Sequence, residues 1–231
     1  MEYRCTSDRL QTDSYLKLQK MGVNNPPIKV PHHHYALEDC NCTRMAEQED
    51  QHYDSLKIEN IVASGVIADS IDLLAISEHI EGCELNTKRF PGAVYRIEDP
   101  KMASLIFSSG KVVLTGLKNE GDLDRGLELL TKSLNSAGVI THPVPDVHIT
   151  NIVCSFDMKK SINLNKVVIT LQLENIEYEP EQFPGLVYRI EDPKIVALLF
   201  SSGKIILTGG KNLQDVRSGL AVLEQHLADI L

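Results

Sequence analysis

The chain lacks any long apolar run: no stretch approaches the roughly 20 residues that cross a bilayer. Its first residues, with Glu2, Arg4, Asp8 and Arg9, contain none of the apolar core of a secretory leader. These absences predict an intracellular protein with no membrane partner. Cysteine is scarce. Cys5, Cys40, Cys42, Cys83 and Cys154 are odd in number and unevenly spaced, which argues against a disulfide framework and for a reducing compartment. Basic residues are outnumbered, 23 Lys and Arg against 32 Asp and Glu, giving a net charge of −9. At face value this opposes a nucleic-acid partner, because most such proteins carry a basic footprint. Catalytic signatures are missing too: there is no G-x-S-x-G or H-E-x-x-H, so no enzyme is expected. Ser108-Ser109-Gly110-Lys111 is not a nucleotide loop, since Leu105 stands where that motif needs Gly and Val112 where it needs Ser or Thr. His32-His33-His34 with Cys40 and Cys42 fits no standard zinc spacing. Neither a metal nor a cofactor is expected.

What the chain does have is an internal repeat. Residues 90–119 read FPGAVYRIEDPKMASLIFSSGKVVLTGLKN and residues 183–212 read FPGLVYRIEDPKIVALLFSSGKIILTGGKN, aligned without a gap at an offset of 93. Upstream, Asn60-Ile61-Val62 answers Asn151-Ile152-Val153 at an offset of 91, so two residues have been added between these anchors in the second copy. Each copy predicts the same elements. Leu123, Leu127, Leu130 and Leu134 recur at helical spacing, as do Val216, Leu220, Leu223 and Leu227, with Asp122 and Asp215 as expected N-caps and Asn135 to Gly138 as a stop. A shorter helix is expected near Leu73, Ile76 and Ile80 and again near Leu164, Val167 and Leu171. Strands are expected over Val94–Ile97, Ser104–Ser108 and Lys111–Thr115, bounded by Asp99-Pro100, Ser109-Gly110 and Gly116.

The order strand, helix, hairpin-linked strands, helix predicts an α+β fold: two pseudo-symmetric repeats forming a curved antiparallel saddle with helices on its convex face. The expected organisation is an N-terminal extension over 1–50 without regular structure, repeat 1 over 51–142 and repeat 2 over 143–231, with Pro143-Val144-Pro145 as the link. Within Lys111–Thr115, alternation puts Val112 and Leu114 on one side and Lys111, Val113 and Thr115 on the other. Both sides carry apolar residues while helices cover one, which leaves an apolar face open for binding.

These motifs resemble the TATA-box-binding protein family. The likeness runs from about Leu56 to the end, through Asn60-Ile61-Val62, Phe90-Pro91-Gly92, Leu105 to Lys111 and Val113 to Gly116, all repeated in the second copy. The resemblance implies a general transcription initiation factor that binds and bends an A·T-rich box through the minor groove, then recruits transcription factor B and RNA polymerase. Members of this family wedge apolar side chains between base steps and kink the duplex. The wedges implied are Phe90, Phe107, Phe183 and Phe200, four of only five phenylalanines in the chain. Minor-groove contacts are implied for Asn60, Val62, Leu105, Val113, Thr115, Asn151, Val153, Pro184, Leu198, Ile206 and Thr208. Phosphate contacts are implied for Arg89, Arg96, Ser109, Lys111, Arg189, Ser202 and Lys204, each of which alone reads equally as solvated surface. Gln182 stands where the first copy has Arg89, so the two ends are unequal. The acidic approach to Phe183, with Glu179 and Glu181, resembles the surface that meets factor B; a solvated turn is the alternative.

Residues 1–50 hold eight acids and six bases, so the acidity lies mainly in the repeats. An acidic body predicts a shallow dependence of binding on salt, and it favours an archaeal member, nucleoid-associated in the cytoplasm, over the typically basic eukaryotic ones. The alternative is a diverged paralogue that serves as a specialised regulator or protein-interaction module. Without DNA, the apolar face also invites a homodimer.

Overall fold

A computed structural model describes residues 55–171, 174–228 and 230. The 1–50 extension and its His and Cys residues lie outside them. The first copy runs β1 (Lys57–Val66), α1 (Leu73–His79), β2 (Cys83–Leu85), β3 (Ala93–Ile97), β4 (Met102–Ile106), β5 (Lys111–Leu117) and α2 (Gly121–Ser136). The second runs β6 (Asp146–Asp157), α3 (Leu164–Leu171), β7 (Ile176–Glu177), β8 (Leu186–Ile190), β9 (Ile195–Leu199), β10 (Lys204–Gly210) and α4 (Leu213–Leu227). The ten strands of the described residues form one curved antiparallel sheet in the order β2-β3-β4-β5-β1-β6-β10-β9-β8-β7. The two copies are therefore halves of a single sheet, joined where β1 pairs with β6.

That central pairing carries the pseudo-twofold axis. Asn60 faces Val153, Ile61 faces Ile152 and Val62 faces Asn151, and exchanging the copies at the offset of 91 returns the same three pairs. Glu59 and Thr150, equivalent residues, are each left unpaired as bulges in this ladder. The change of offset from 91 to 93 falls across α3 and the turn that follows it.

Alternation explains which face is covered. In β5, Val112, Leu114 and Leu117 are buried while Lys111, Val113 and Thr115 are exposed or half-exposed, and β10 repeats the pattern with Ile205, Leu207 and Gly210. The buried sides meet the helices. Leu123, Gly126, Leu130 and Leu134 of α2 and Val216, Gly219, Leu220, Leu223 and Leu227 of α4 are buried, as the helical spacing predicts, with glycines added to the stripe. Gly126 lies against Met102, whose Sδ would be 2.9 Å from an added Cβ, and Gly219 against Ile195, whose Cγ1 would be 2.8 Å away. Gly219 lets α4 approach the branched Ile195 more closely than a side chain would allow, whereas Gly126 faces only the far end of the flexible Met102.

Two sequence expectations are corrected. Asp122 and Asp215 do not cap their helices; they lie inside the first turn. Asn212 caps α4, whereas Glu120 at the start of α2 makes no side-chain cap bond and Asn119 before it accepts from the first turn. Asn212 Oδ1 accepts from the Asp215 N–H at 2.8 Å as the cap, while Asp215 Oδ2 accepts from the Asn212 side chain at 3.1 Å and from Lys211 N–H at 3.3 Å. Its equivalent Asn119 accepts from Gly121 N–H at 3.0 Å. The strand expected over Ser104–Ser108 stops at Ile106, because Phe107 to Gly110 form a closed turn with Gly110 N–H bonded to Phe107 O at 3.0 Å. The short helices behave as expected: Asp72 caps α1 through Leu74 and Ala75 N–H, and Asn163 holds Lys166 N–H at the start of α3.

Candidate nucleic-acid interface

The uncovered face of the sheet gathers the residues that the sequence singled out. Asn60, Val62, Asn151 and Val153 surround the pseudo-twofold axis, with Thr115 and Thr208 beside them. Leu105 pairs with Val113 and Leu198 with Ile206, so one aliphatic row extends into each half. All ten side chains are only partly buried, as expected of apolar residues that shield one another beneath no covering layer.

The asparagine amides are oriented by the fold. Asn60 Oδ1 accepts from Gly116 N–H at 2.8 Å, and Asn151 Oδ1 accepts from Gly209 N–H at 2.8 Å. Gly116 and Gly209 adopt φ of 97° and 108°, left-handed values that favour glycine and turn each N–H toward its amide. With both carbonyls occupied, the NH₂ groups act as donors: that of Asn60 donates to Thr115 Oγ1 at 3.2 Å and keeps its second hydrogen for a partner on the open face. Thr115 and Thr208 hydroxyls lie 3.3 and 3.2 Å from the same oxygens. A donor at this point suits a surface of acceptors, which is what A·T pairs present in the minor groove.

Paired phenylalanines mark the ends. Phe90 and Phe107 meet edge to face with centroids 5.4 Å apart, and Phe183 and Phe200 do so at 5.9 Å. Two devices hold them. The turns Phe107–Gly110 and Phe200–Gly203 put one ring of each pair at a hairpin tip, with Phe107 N–H and Phe200 N–H bonded to Lys111 O and Lys204 O. Gly92 and Gly185 leave room for the other: a Cβ there would lie 2.8 Å from Phe90 Cε1 and 2.7 Å from Phe183 Cε1. Phe183 is 38% exposed, and Pro184 beside it is exposed as well. Rings held this way present apolar edges to solvent, a geometry suited to insertion between stacked bases.

The basic residues divide into two groups. Arg89, Lys111 and Lys204 are exposed, as are Ser109 and Ser202. Arg96 and Arg189 lie on the same face but each already has a carboxylate partner, Glu84 at 3.0 Å and Glu177 at 3.1 Å. A phosphate would have to compete with these exposed pairs, which are individually weak. The turns preceding Phe90 and Phe183 share one backbone: Asn86 O accepts from Arg89 and Phe90 N–H, and Glu179 O from Gln182 and Phe183 N–H. Their charges are opposite, Lys88 and Arg89 in one and Glu179 and Glu181 in the other, all exposed.

One residue on this face escaped the sequence reading. Glu59 accepts a hydrogen bond from Ser155 Oγ at 2.7 Å and pairs with Lys118 Nζ at 3.4 Å. The Ser155 hydroxyl, then Lys118, hold its carboxyl below the usual glutamate range, so it is ionised at neutral pH. Strict alternation from Asn60 would turn Glu59 toward the core; the bulge instead returns it to the open face. Among the described residues no group of three or more His, Cys, Asp or Glu side chains is arranged to hold a metal. No described helix is long and apolar enough to cross a membrane.

Comparison with known proteins agrees with this geometry. The family model described as transcription factor TFIID, or TATA-binding protein, matches twice, over residues 55–137 and 146–230. TATA-box-binding protein 2 of Methanosarcina mazei is 53% identical over 75% of this chain and 94% of its own length. TATA-box-binding protein D of Halobacterium salinarum is 44% identical over 77% of this chain and 95% of its own. A solved structure of Methanococcus jannaschii TBP, 40% identical, matches with a TM-score of 0.69, covering 76% of this chain and 99% of that one. The chain thus belongs to the TATA-binding protein family.

Proposed function

We propose that the protein is a general transcription initiation factor that binds and bends an A·T-rich box through the minor groove. The observation that carries this reading is the duplication, on one uncovered apolar face, of edge-to-face phenylalanine pairs flanking two outward-donating asparagine amides. Phe90, Phe107, Phe183 and Phe200 enter base steps at the two ends of the box and kink it. Asn60 and Asn151 donate to A·T acceptors at its centre, with Thr115 and Thr208 beside them. Val62, Val153, Leu105, Leu198, Val113, Ile206 and Pro184 press against sugar and base edges, where a guanine amine would be excluded. Arg89, Ser109, Lys111, Ser202 and Lys204 hold phosphates, and Arg96 and Arg189 join them by exchanging their carboxylate partners.

The exposed acidic turn at Glu179 and Glu181 is the docking point for transcription factor B, which brings RNA polymerase. The site of action is the nucleoid in the cytoplasm. Because few cations line the face of an acidic chain, affinity rests on apolar burial and groove shape. A plot of log K against log salt is expected to be shallower than a slope of about −6.

The test is fluorescence anisotropy on an A·T-box duplex and a G·C duplex of equal length, with and without factor B. Tight binding to the first alone, lost on Phe183→Ala or Phe90→Ala and strengthened by factor B, is expected. Failure to bind the A·T box even with factor B present would discard this reading and favour a specialised regulator or interaction module built on the same saddle.

A further inference from the structure

The two halves of the open face differ in charge at its ends, Lys88 against Glu181 and Arg89 against Gln182, and again beside its centre, at Glu59 and Thr150. Glu59 and Thr150 are the bulged residues of β1 and β6 that mirror each other across the pseudo-twofold axis. Glu59 puts a carboxylate on the open face, held by Ser155 Oγ at 2.7 Å and Lys118 Nζ at 3.4 Å. Ser155 lies in register with Ile206, which pairs with Leu198, so this carboxylate borders the aliphatic row of the second half. The groove there is lined by Lys57, Glu59, Ser155, Pro184, Phe200 and Ile206. At the mirror position the Thr150 hydroxyl is neutral and donates to Val62 O at 3.2 Å. Lys57, beside Glu59 in this groove, has His148 as its equivalent, whereas Lys118 and Lys211 occupy equivalent places in the two halves. Lys118 is engaged by Glu59, whereas its equivalent Lys211 forms no ion pair among the described residues.

We infer that Glu59 makes the two half-sites of the face unequal toward DNA, disfavouring the more negative A·T-rich half of a box on the side toward Phe200. This rests on the minor-groove reading above. The floor of an A·T minor groove offers acceptors only and, in A-tracts, an enhanced negative potential, so a carboxylate facing it is repelled. A G·C pair beyond the reach of the aliphatic row interrupts that run of acceptors with the guanine N2 amine and lessens the negative potential that the carboxylate meets. The duplex that places its G·C-containing half over Glu59 and its purely A·T half over Thr150 is the better fit. Glu59 thereby acts as a specificity residue that gives a nearly symmetric protein a direction on an asymmetric box.

The test uses two duplexes with identical inverted flanks: a self-complementary A·T box, and the same box with one A·T pair of one half replaced by G·C. In the first, an A·T half must always lie over Glu59; in the second, the protein can avoid it. Glu59→Gln keeps the shape and the Ser155 hydrogen bond but removes the charge. It is expected to tighten binding to the self-complementary box about fivefold, the effect of one screened charge near a polyanion, and binding to the substituted box by much less. The double variant Glu59→Thr with Thr150→Glu moves the charge to the other half and is expected to restore wild-type affinity for both duplexes. Equal gains on both duplexes, or no gain, would overturn the inference. If instead the wild-type protein does not distinguish the A·T box from a G·C duplex, the minor-groove reading has failed first, and the inference with it.

Discussion

Asn60→Asp separates what the central amide does for the fold from what it does for DNA. In the native protein Asn60 Oδ1 accepts from Gly116 N–H at 2.8 Å, while the NH₂ group donates one hydrogen to Thr115 Oγ1 at 3.2 Å and keeps the other to donate. An aspartate keeps an oxygen at the first position, and a charged acceptor makes that hydrogen bond stronger rather than weaker. At the second position it replaces a donor by an anion facing base acceptors. Stability is therefore expected to change little, by less than about 1 kcal/mol. A lost base contact costs about 1–3 kcal/mol, and the added repulsion places the loss toward or beyond the upper value. A loss of 2 kcal/mol is roughly 30-fold in Kd. Asn60→Ala is expected to lose both, because it also leaves the Gly116 N–H without its acceptor, at about 1 kcal/mol of stability. Anisotropy titration with an A·T-box duplex, beside thermal melting of each variant, reads the two quantities independently. Wild-type affinity in Asn60→Asp would refute the assignment of the amide as a donor to DNA, and a large drop in melting temperature would refute the role given to its carbonyl.

Four further outcomes follow from the core. Gly219→Ala is expected to destabilise by about 1–2 kcal/mol, since the new methyl meets Ile195 Cγ1 at 2.8 Å and Cβ at 3.0 Å and a β-branched side chain cannot yield. Gly126→Ala meets the mobile end of Met102 instead and is expected to be neutral or stabilising through helix propensity; chemical denaturation would rank the two. Ser104→Ala, which copies the equivalent Ala197, removes a hydroxyl buried without a hydrogen-bond partner among the described residues and is expected to raise stability by about 1 kcal/mol in the same assay. Burial, with Glu59 and Glu120 adding to it, pushes the Cys154 thiol up to about 11 from its usual 9.0. Between those values the unfolded chain releases a proton that the folded protein keeps. Stability should therefore fall as pH rises from about 9 to 11, and this part of the slope should be absent from melting curves of Cys154→Ala.

The repeat made most of the architecture legible. A stretch that recurs at a fixed offset must build the same unit twice, and its alternation separated Val112 and Leu114 from Lys111, Val113 and Thr115 as the structure does. The caps were harder. Asp122 and Asp215 have the right chemistry but stand within the first turn, and only backbone geometry shows that Asn119 and Asn212 accept the free N–H groups. The glycines at 126 and 219 read as interruptions of a leucine stripe until the helices are seen against the sheet.

Sequence alone determined the fold class, the twofold repetition and the paired positions of four phenylalanines and two asparagines, because each is a matter of residue type recurring at fixed spacing. The tertiary structure decided which way those groups act. Only the left-handed backbone at Gly116 and Gly209 fixes the amides as donors, and only the space at Gly92 and Gly185 sets the rings on edge. Glu59 shows the limit most clearly. A period of two assigns it to the core, but one unpaired residue between Ile58 and Asn60 shifts the register and turns its charge onto the open face. Such a bulge belongs to the pairing of two strands some 90 residues apart in the chain, and no local pattern in either strand records it.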